Sequence, residues 1–247
     1  MADLNRPLGQ PAAYHELIVT RRLAVLQQFE GFLDASKTLV DVGCGNGASL
    51  LQLAHHFRLC HGIDISAANQ HAFEAEARRR NIQNCTFSLA NIDQWVEVPK
   101  QKYDRLICFE VIEHVQDDQH AAKMLYHLVK PGGLAAISVP NKWWIFETHG
   151  ARLPVLKWNR VPFFSWLPTP IHERFANARI YTVSRITRLL KNAGFTLVDW
   201  HYITAPMDRV TWKPLQTVLR RTLFAQHTTS IPMLSTSIMV FAERKMD

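Results

Sequence analysis

Glu110, Glu113 and His114 stand at i, i+3 and i+4 in the run Glu110-Val111-Ile112-Glu113-His114-Val115. On a helical turn that spacing puts all three side chains on one face. Two carboxylates and an imidazole together form a candidate divalent-ion site, and the oxygen-rich set suits Mg²⁺ or Mn²⁺ better than Zn²⁺. His114 alone is also a candidate general base, because an imidazole titrates near neutrality. A plainer reading leaves Glu113 and His114 as organisers of a loop. A second cluster invites a ligand rather than a proton transfer. In Val40-Asp41-Val42-Gly43-Cys44-Gly45-Asn46-Gly47, glycine recurs at every second position from Gly43. Such a loop can take positive φ and let a ligand approach with no Cβ in the way. Asp64 closes His61-Gly62-Ile63-Asp64; a carboxylate there can accept bonds from ligand hydroxyls, or cap a helix beginning near Ser66.

These groups need elements to hold them. From Lys37 to Asn141, strand-like and helix-like segments alternate, which argues for a parallel sheet covered on both faces. The strands expected are 38–42, 59–63, 85–89, 103–109 and 134–139, followed near the end by about 195–203 and 236–243. Helices are expected from Ser66 to Arg80, from Asp117 to a stop at Lys130-Pro131-Gly132-Gly133, and over 183–193. Residues 14–33 have helical spacing, with Tyr14, Leu17, Ile18, Leu26, Phe29 and Leu33 on one apolar face. Residues 1–36 are therefore taken as an N-terminal helical lid, and 37–247 as the main domain. Within it, about 141–180 breaks the alternation and carries Trp143, Trp144, Phe146, Phe163, Phe164 and Trp166.

The 247 residues suit one α/β domain with embellishments. The net charge of +7 fits an anionic surface, a nucleic acid or an acidic substrate without choosing among them. Arg78-Arg79-Arg80 is short and reads as a solvated helix end. Cys44, Cys60, Cys85 and Cys108 form no C-x-x-C pair. With no signal-peptide pattern, this leads to the expectation of a reduced, cytoplasmic protein. No run of about 18 apolar residues marks a membrane-spanning helix.

The order of landmarks resembles class I S-adenosylmethionine (SAM) dependent methyltransferases over roughly residues 38–140. They are the D-x-G-x-G-x-G loop, Asp64 at a second strand's tip, Ala90-Asn91-Ile92-Asp93 after a third, Phe109 and Glu110 at the end of a fourth, then Pro131-Gly132-Gly133 and Pro140-Asn141. The resemblance implies a Rossmann-like fold with a seven-stranded, mostly parallel sheet, one antiparallel strand and helices on both faces. It implies SAM as cofactor, held by Asp41, Gly43, Cys44, Gly45, Gly47, Asp64, Ile65, Asn91, Ile92 and Phe109. Asp64 would take the ribose hydroxyls, Ile65 would lie against the adenine, and Asn91 would stand where many relatives carry an acid toward the adenine amino group. The E-x-x-E-H run resembles that of ubiquinone-pathway O-methyltransferases, where it is linked to a divalent ion, and that of small-RNA 2′-O-methyltransferases, which add a distant histidine. His172, in Pro170-Ile171-His172-Glu173, falls where the ubiquinone-pathway enzymes carry a threonine–histidine pair, and so could approach the substrate or complete a metal shell. His149 has no supporting context.

The leading expectation is methyl transfer to an oxygen of a small, prenylated or lipid-like acceptor, with His114 as base or Glu110, Glu113 and His114 around Mg²⁺ or Mn²⁺. The aromatic segment is a lid, a packed subdomain, or a membrane contact with Lys142, Arg152, Lys157 and Arg160. A basic stretch with helical apolar spacing, 212–224, either reinforces that contact or packs on the core. Two alternatives stand: RNA 2′-O-methylation, against which no RNA-binding module is found, and a catalytically degenerate SAM-binding adaptor. A nicotinamide dehydrogenase is disfavoured by the glycine spacing.

Overall fold

The structure, a computed structural model, describes residues 11–152 and 161–246. Lys157, Arg160 and the first ten residues of the expected N-terminal lid lie outside the described residues. The chain runs α1 (Leu17–Gln28), β1 (Asp34–Val42), α2 (Leu50–Leu53), β2 (Phe57–Asp64), α3 (Ala67–Arg79), β3 (Cys85–Leu89), β4 (Tyr103–Phe109), α4 (Asp118–Leu128) and β5 (Val129–Pro140). Then come α5 (Thr169–Phe175), α6 (Val183–Asn192), β6 (Thr196–Thr204), α7 (Lys213–Arg221), β7 (Thr228–Thr229) and β8 (Ser235–Arg244). No helix among the described residues is long and apolar enough to cross a membrane.

One eight-stranded sheet has the order β3-β2-β1-β4-β5-β8-β6-β7. Strands β1 to β5 pair in parallel, and β8 runs antiparallel between β5 and β6. The eighth strand beyond the expected seven is β7, two threonine residues paired antiparallel to Tyr202 and Ile203. Two residues carry no readable period. Residues 38–42 of β1 are all buried, as befits a parallel strand covered on both faces. Leu39 and Ile107 join the core that includes α1, α2 and α3, whereas Val40, Val42, Leu106 and Cys108 join the core that includes α4 and α6. Asp117 caps α4 by accepting from the Gln119 and His120 N–H groups at 2.9 and 3.0 Å. Ser66 caps α3 from 3.3 Å. Both satisfy donors that a helix leaves unpaired.

The Lys130-Pro131-Gly132-Gly133 stop is a bulge at the start of β5 rather than a loop. Tyr103 pairs with Val129 and Arg105 with Leu134, so the intervening residues bow outward. Gly132 has φ +74°, and a Cβ on Gly133 would stand 2.6 Å from Val129 and 2.9 Å from the Asp104 carbonyl oxygen. The N-terminal helix also differs from expectation. It is shorter, and its buried face includes Arg21 and Arg22 beside Val19, Leu23, Val25 and Leu26. Arg21 donates to the Ala205 carbonyl at 2.9 Å and to that of Phe224, so α1 is fastened to the chain beyond β6.

Asp104, near the start of β4, ties that strand to β1 and β5. Its carboxylate accepts from Thr38 N at 2.9 Å, Thr38 Oγ1 at 2.7 Å and Lys130 Nζ at 3.0 Å. Burial pushes its pKa up, but these bonds from Thr38 and Lys130 outweigh burial and hold it at about 2. A depressed carboxyl stabilises the fold above the unfolded value near 4, and that contribution is lost as pH falls toward 2. Asp104→Asn is expected to cost about 2 kcal/mol at neutral pH and to flatten the acid limb. Thermal melts between pH 7 and 2.5 would check this; parallel curves for the two proteins would refute it.

Candidate active site

The strand order reverses at β1, whose neighbours are β2 and β4. In open α/β sheets the crevice beyond the carboxyl ends at such a reversal is where ligands bind. The glycine loop lies there. Gly43 and Cys44 N–H groups donate to the Ile63 carbonyl at 2.7 and 3.1 Å, and Gly43, Gly45 and Gly47 have φ of +75°, +53° and +83°. A Cβ on Gly43 would stand 2.2 Å from Val111 Cγ2, and one on Gly47 2.5 Å from Phe73. One on Gly45 would meet Pro11 at 2.7 Å, because the segment before α1 lies against the loop. Tyr14 donates its hydroxyl to the Asn46 carbonyl at 2.8 Å, and Asn46 Nδ2 reaches the Ala12 carbonyl at 3.2 Å. The Arg80 guanidinium lies 4.5 Å from the Tyr14 ring centroid, so the end of α3 serves this strap rather than only solvent.

Asp64 spans the crevice mouth. One carboxylate oxygen accepts from Gly45 N at 2.9 Å, and the other from Ser66 N and Asn69 Nδ2, both at 3.0 Å. Ser66, not Asp64, is the helix cap. Asp41 is buried behind the loop, and burial first, then the Asp64 charge, push its carboxyl well above the usual range. Cys44 is buried, its Sγ 2.7 Å from where a Cβ on Gly62 would stand, and Ile65 is exposed beside Asp64. After β3, Asn91 Oδ1 accepts from Asp93 N at 3.0 Å and Ile92 is buried. Asp93 in turn accepts from Gln116 N at 3.1 and 3.2 Å. That tie between two loops had no local signal in the sequence. Phe109 is half-buried, 5.7 Å from the Arg22 guanidinium.

The segment 110–116 is a turn, not a helix, and this separates the three residues expected on one face. Glu110 has φ +58°; its carboxylate accepts from Ser138 Oγ at 2.7 Å and pairs with Arg22 at 3.0 Å. It does not join Glu113 and His114. His149 takes that place. His149 Nε2 is 3.5 Å and His114 Nε2 3.9 Å from Glu113 Oε1. The two imidazoles meet edge to face at 4.8 Å. Ligand-capable atoms of Glu113, His114 and His149 all lie within 4.8 Å of one another. Glu113 is fully buried, and burial first, then Glu110, push its carboxyl well above the ordinary range.

His149 is positioned by a buried pair. His172 Nε2 and Glu147 Oε2 are 2.6 Å apart, and Glu147 Oε1 accepts from His149 N at 3.1 Å. His172 therefore neither lines the crevice nor joins the cluster; its role is inside the aromatic segment. There Ala151, Phe164 and Ala176 form a small core of their own. Other aromatic side chains stay outside it: Trp143, Phe146, Phe163 and Trp166 are exposed. α5 begins with Pro170 at its second residue, a position that tolerates the missing N–H.

Comparisons with known proteins agree on the family. The model of a methyltransferase-domain family matches residues 14–199. A ubiquinone biosynthesis O-methyltransferase of Serratia proteamaculans is 31% identical over 151 residues, 58% of this chain and 59% of that protein. One from Acinetobacter baumannii is 30% identical over 168 residues, 67% of this chain and 66% of that protein. The chain thus spans just under two thirds or less of these two relatives. Among solved structures, a SAM-dependent methyltransferase from Mesorhizobium loti has TM-score 0.62 at 15% identity, covering 91% of this chain and 98% of that one. The [4+2]-cyclase SpnF also reaches 0.62, at 18% identity, covering 92% and 82%; likeness of that kind speaks for the fold alone. With the family match spanning most of the sheet and the whole of the glycine loop, the chain belongs to the class I SAM-dependent methyltransferases.

Proposed function

We propose that the protein transfers the SAM methyl group to an oxygen of a small, lipophilic acceptor. The observation that carries this reading is the Glu113–His114–His149 cluster, set on the β4 turn and the aromatic segment next to the glycine loop. Bound SAM supplies an electrophilic methyl on a sulfonium. The chain must then hold the acceptor oxygen in line, take its proton and exclude water. Asp64 is the group for the ribose hydroxyls, Ile65, Asn91 and Ile92 for the adenine, and the loop from Asp41 to Gly47, with Phe109, for the remaining cofactor contacts. His114 is the proposed base, with the buried Glu113 carboxyl beside it to orient the imidazole. The half-buried and exposed aromatic residues of 141–180 are proposed as the lid over an apolar acceptor.

The same cluster fits a divalent ion. One carboxylate and two imidazoles suit a transition metal such as Mn²⁺ or Zn²⁺ better than Mg²⁺, and Glu110, bound to Arg22, is not one of its donors. Such an ion would lower the pKa of an acceptor hydroxyl. The names of the relatives, ubiquinone biosynthesis O-methyltransferases, support a prenylated phenol as acceptor. Nucleic acid is a weaker reading, because Arg21, Arg22, Arg105 and Arg244 are buried and spend their charge inside the fold.

The test is an acceptor assay with radiolabelled SAM and a polyprenylated catechol, using chelator-treated protein alone or with Mg²⁺, Mn²⁺ or Zn²⁺. Label is expected in the organic phase. Transfer to RNA and to no phenol would overturn the proposal.

A further inference from the structure

Helix α7 has its polarity reversed. Gln216 is 6% exposed, while Trp212, Leu215, Val218 and Leu223 are 41 to 66% exposed. On a soluble surface helix the apolar stripe faces the core. Here the inward face is polar, and the grips are specific. Gln216 Nε2 donates to the Met207 carbonyl at 2.9 Å, Arg220 Nε to that of Pro206 at 2.8 Å, and Arg220 also pairs with Asp208. Just beyond the helix, Arg21 holds the Phe224 carbonyl and Phe224 is buried. The helix is thus fixed in an orientation that leaves Leu215 and Val218, one turn apart, facing out.

The place of this helix in the fold matters as much as its face. The ends of β5 and β6 and the start of β8 are in register, through the pairs Pro140–Ser237 and Thr204–Ser235. Asn141 Nδ2 donates to the Pro232 carbonyl at 2.7 Å, and Ala205 N to that of Leu234 at 2.8 Å. The aromatic segment, α7 and the 231–234 turn therefore leave one corner of the sheet, on the crevice side. The turn adds exposed Ile231 and Met233. Exposed Arg221 stands on the helix itself and exposed Arg209 in the loop before it, while Lys213, also exposed, donates to Gln216 Oε1 at 3.4 Å. Outward aliphatic residues, a tryptophan at one end and a cationic rim are the features by which a helix lies in the interface of an anionic bilayer. A second copy of a chain of net charge +7 would meet the rim with like charge.

We infer that the α7 face docks this protein on an anionic lipid surface, with the crevice corner toward the bilayer. This extends the lipophilic-acceptor reading, since an acceptor dissolved in lipid would reach the crevice without crossing water. Vesicle binding reads the docking without any methyl transfer, so either idea can fail alone.

The experiment is co-sedimentation of the full chain with phosphatidylcholine vesicles, with and without phosphatidylglycerol, across a salt series. Wild-type protein should bind the anionic vesicles and lose affinity as salt rises. The Leu215→Asp/Val218→Asp double variant alters only exposed side chains and should fold as the wild type does. It should lower vesicle affinity by about tenfold or more, with SAM binding by calorimetry unchanged. Arg221→Glu should reduce binding only to the anionic vesicles. Absence of wild-type binding, equal binding by the double variant, or a dimer in sedimentation velocity that the double variant dissolves would each overturn the inference.

Discussion

Asp64→Ala is expected to weaken the affinity for SAM and for S-adenosylhomocysteine by about a hundredfold or more, with the sheet still folded. Hydrogen bonds to a charged group contribute roughly 1.5 to 3 kcal/mol each, and the proposed role gives this carboxylate two ribose hydroxyls. Its present partners bear on the same outcome. One oxygen accepts from Gly45 N and the other from Ser66 N and Asn69 Nδ2. Removing it loosens the glycine loop as well as the ribose contact, while Ser66 still caps α3. Asp64→Asn separates the two effects, because an amide oxygen can keep one backbone bond but lacks the charge. Calorimetry beside circular dichroism decides the matter. Unchanged affinity in a folded Asp64→Ala protein would remove Asp64 from the cofactor site.

His114→Ala and Glu113→Ala are expected to lower kcat by about 10² to 10⁴, the usual worth of a placed acid or base, with little change in SAM affinity. The reason is separation. The cluster sits on the turn after β4 and on the aromatic segment, whereas the residues proposed for the cofactor sit on the loops after β1, β2 and β3 and, as Phe109, at the end of β4. Single-turnover kinetics with the acceptor, run beside SAM titration, give both readouts. His149→Ala should fall with them if the three act together, a result that double-mutant comparison with His114→Ala would expose as non-additive. Equal losses of SAM binding and turnover would mean that these residues only shape the turn.

Much of this was legible in the sequence where the cause is local. The glycine spacing forces a loop with positive φ, and its strand and helix lie next to it in the chain, so the backbone of the half proposed for the cofactor could be drawn from residues 38–93. The strands of β1 to β5 were readable because buried parallel strands are short apolar runs between turn residues. The arrangement of Glu110, Glu113, His114 and His149 was not, because its geometry is set by distant partners. Glu110 leaves its neighbours because Arg22, from a helix 88 positions earlier, and Ser138, from β5, hold it. His149 looked like a loop histidine because nothing near it in the chain points to Glu113; the buried Glu147–His172 pair that aims it closes over 25 residues. His172 drew attention for the motif it sits in, yet it works one step removed. α7 was left open between two readings. Its apolar spacing was plain, but which face turns inward depends on Gln216 and Arg220 finding carbonyls at 206 and 207.

The bond from Gln116 N–H to Asp93 has a thermodynamic consequence. It joins the loop that would grip the adenine to the turn that carries Glu113 and His114. Whatever factor a bound cofactor adds to acceptor affinity, a bound acceptor must return to the cofactor. Cofactor affinity should therefore differ between the acceptor-free and acceptor-bound protein, and Asp93→Ala should bring the two values together.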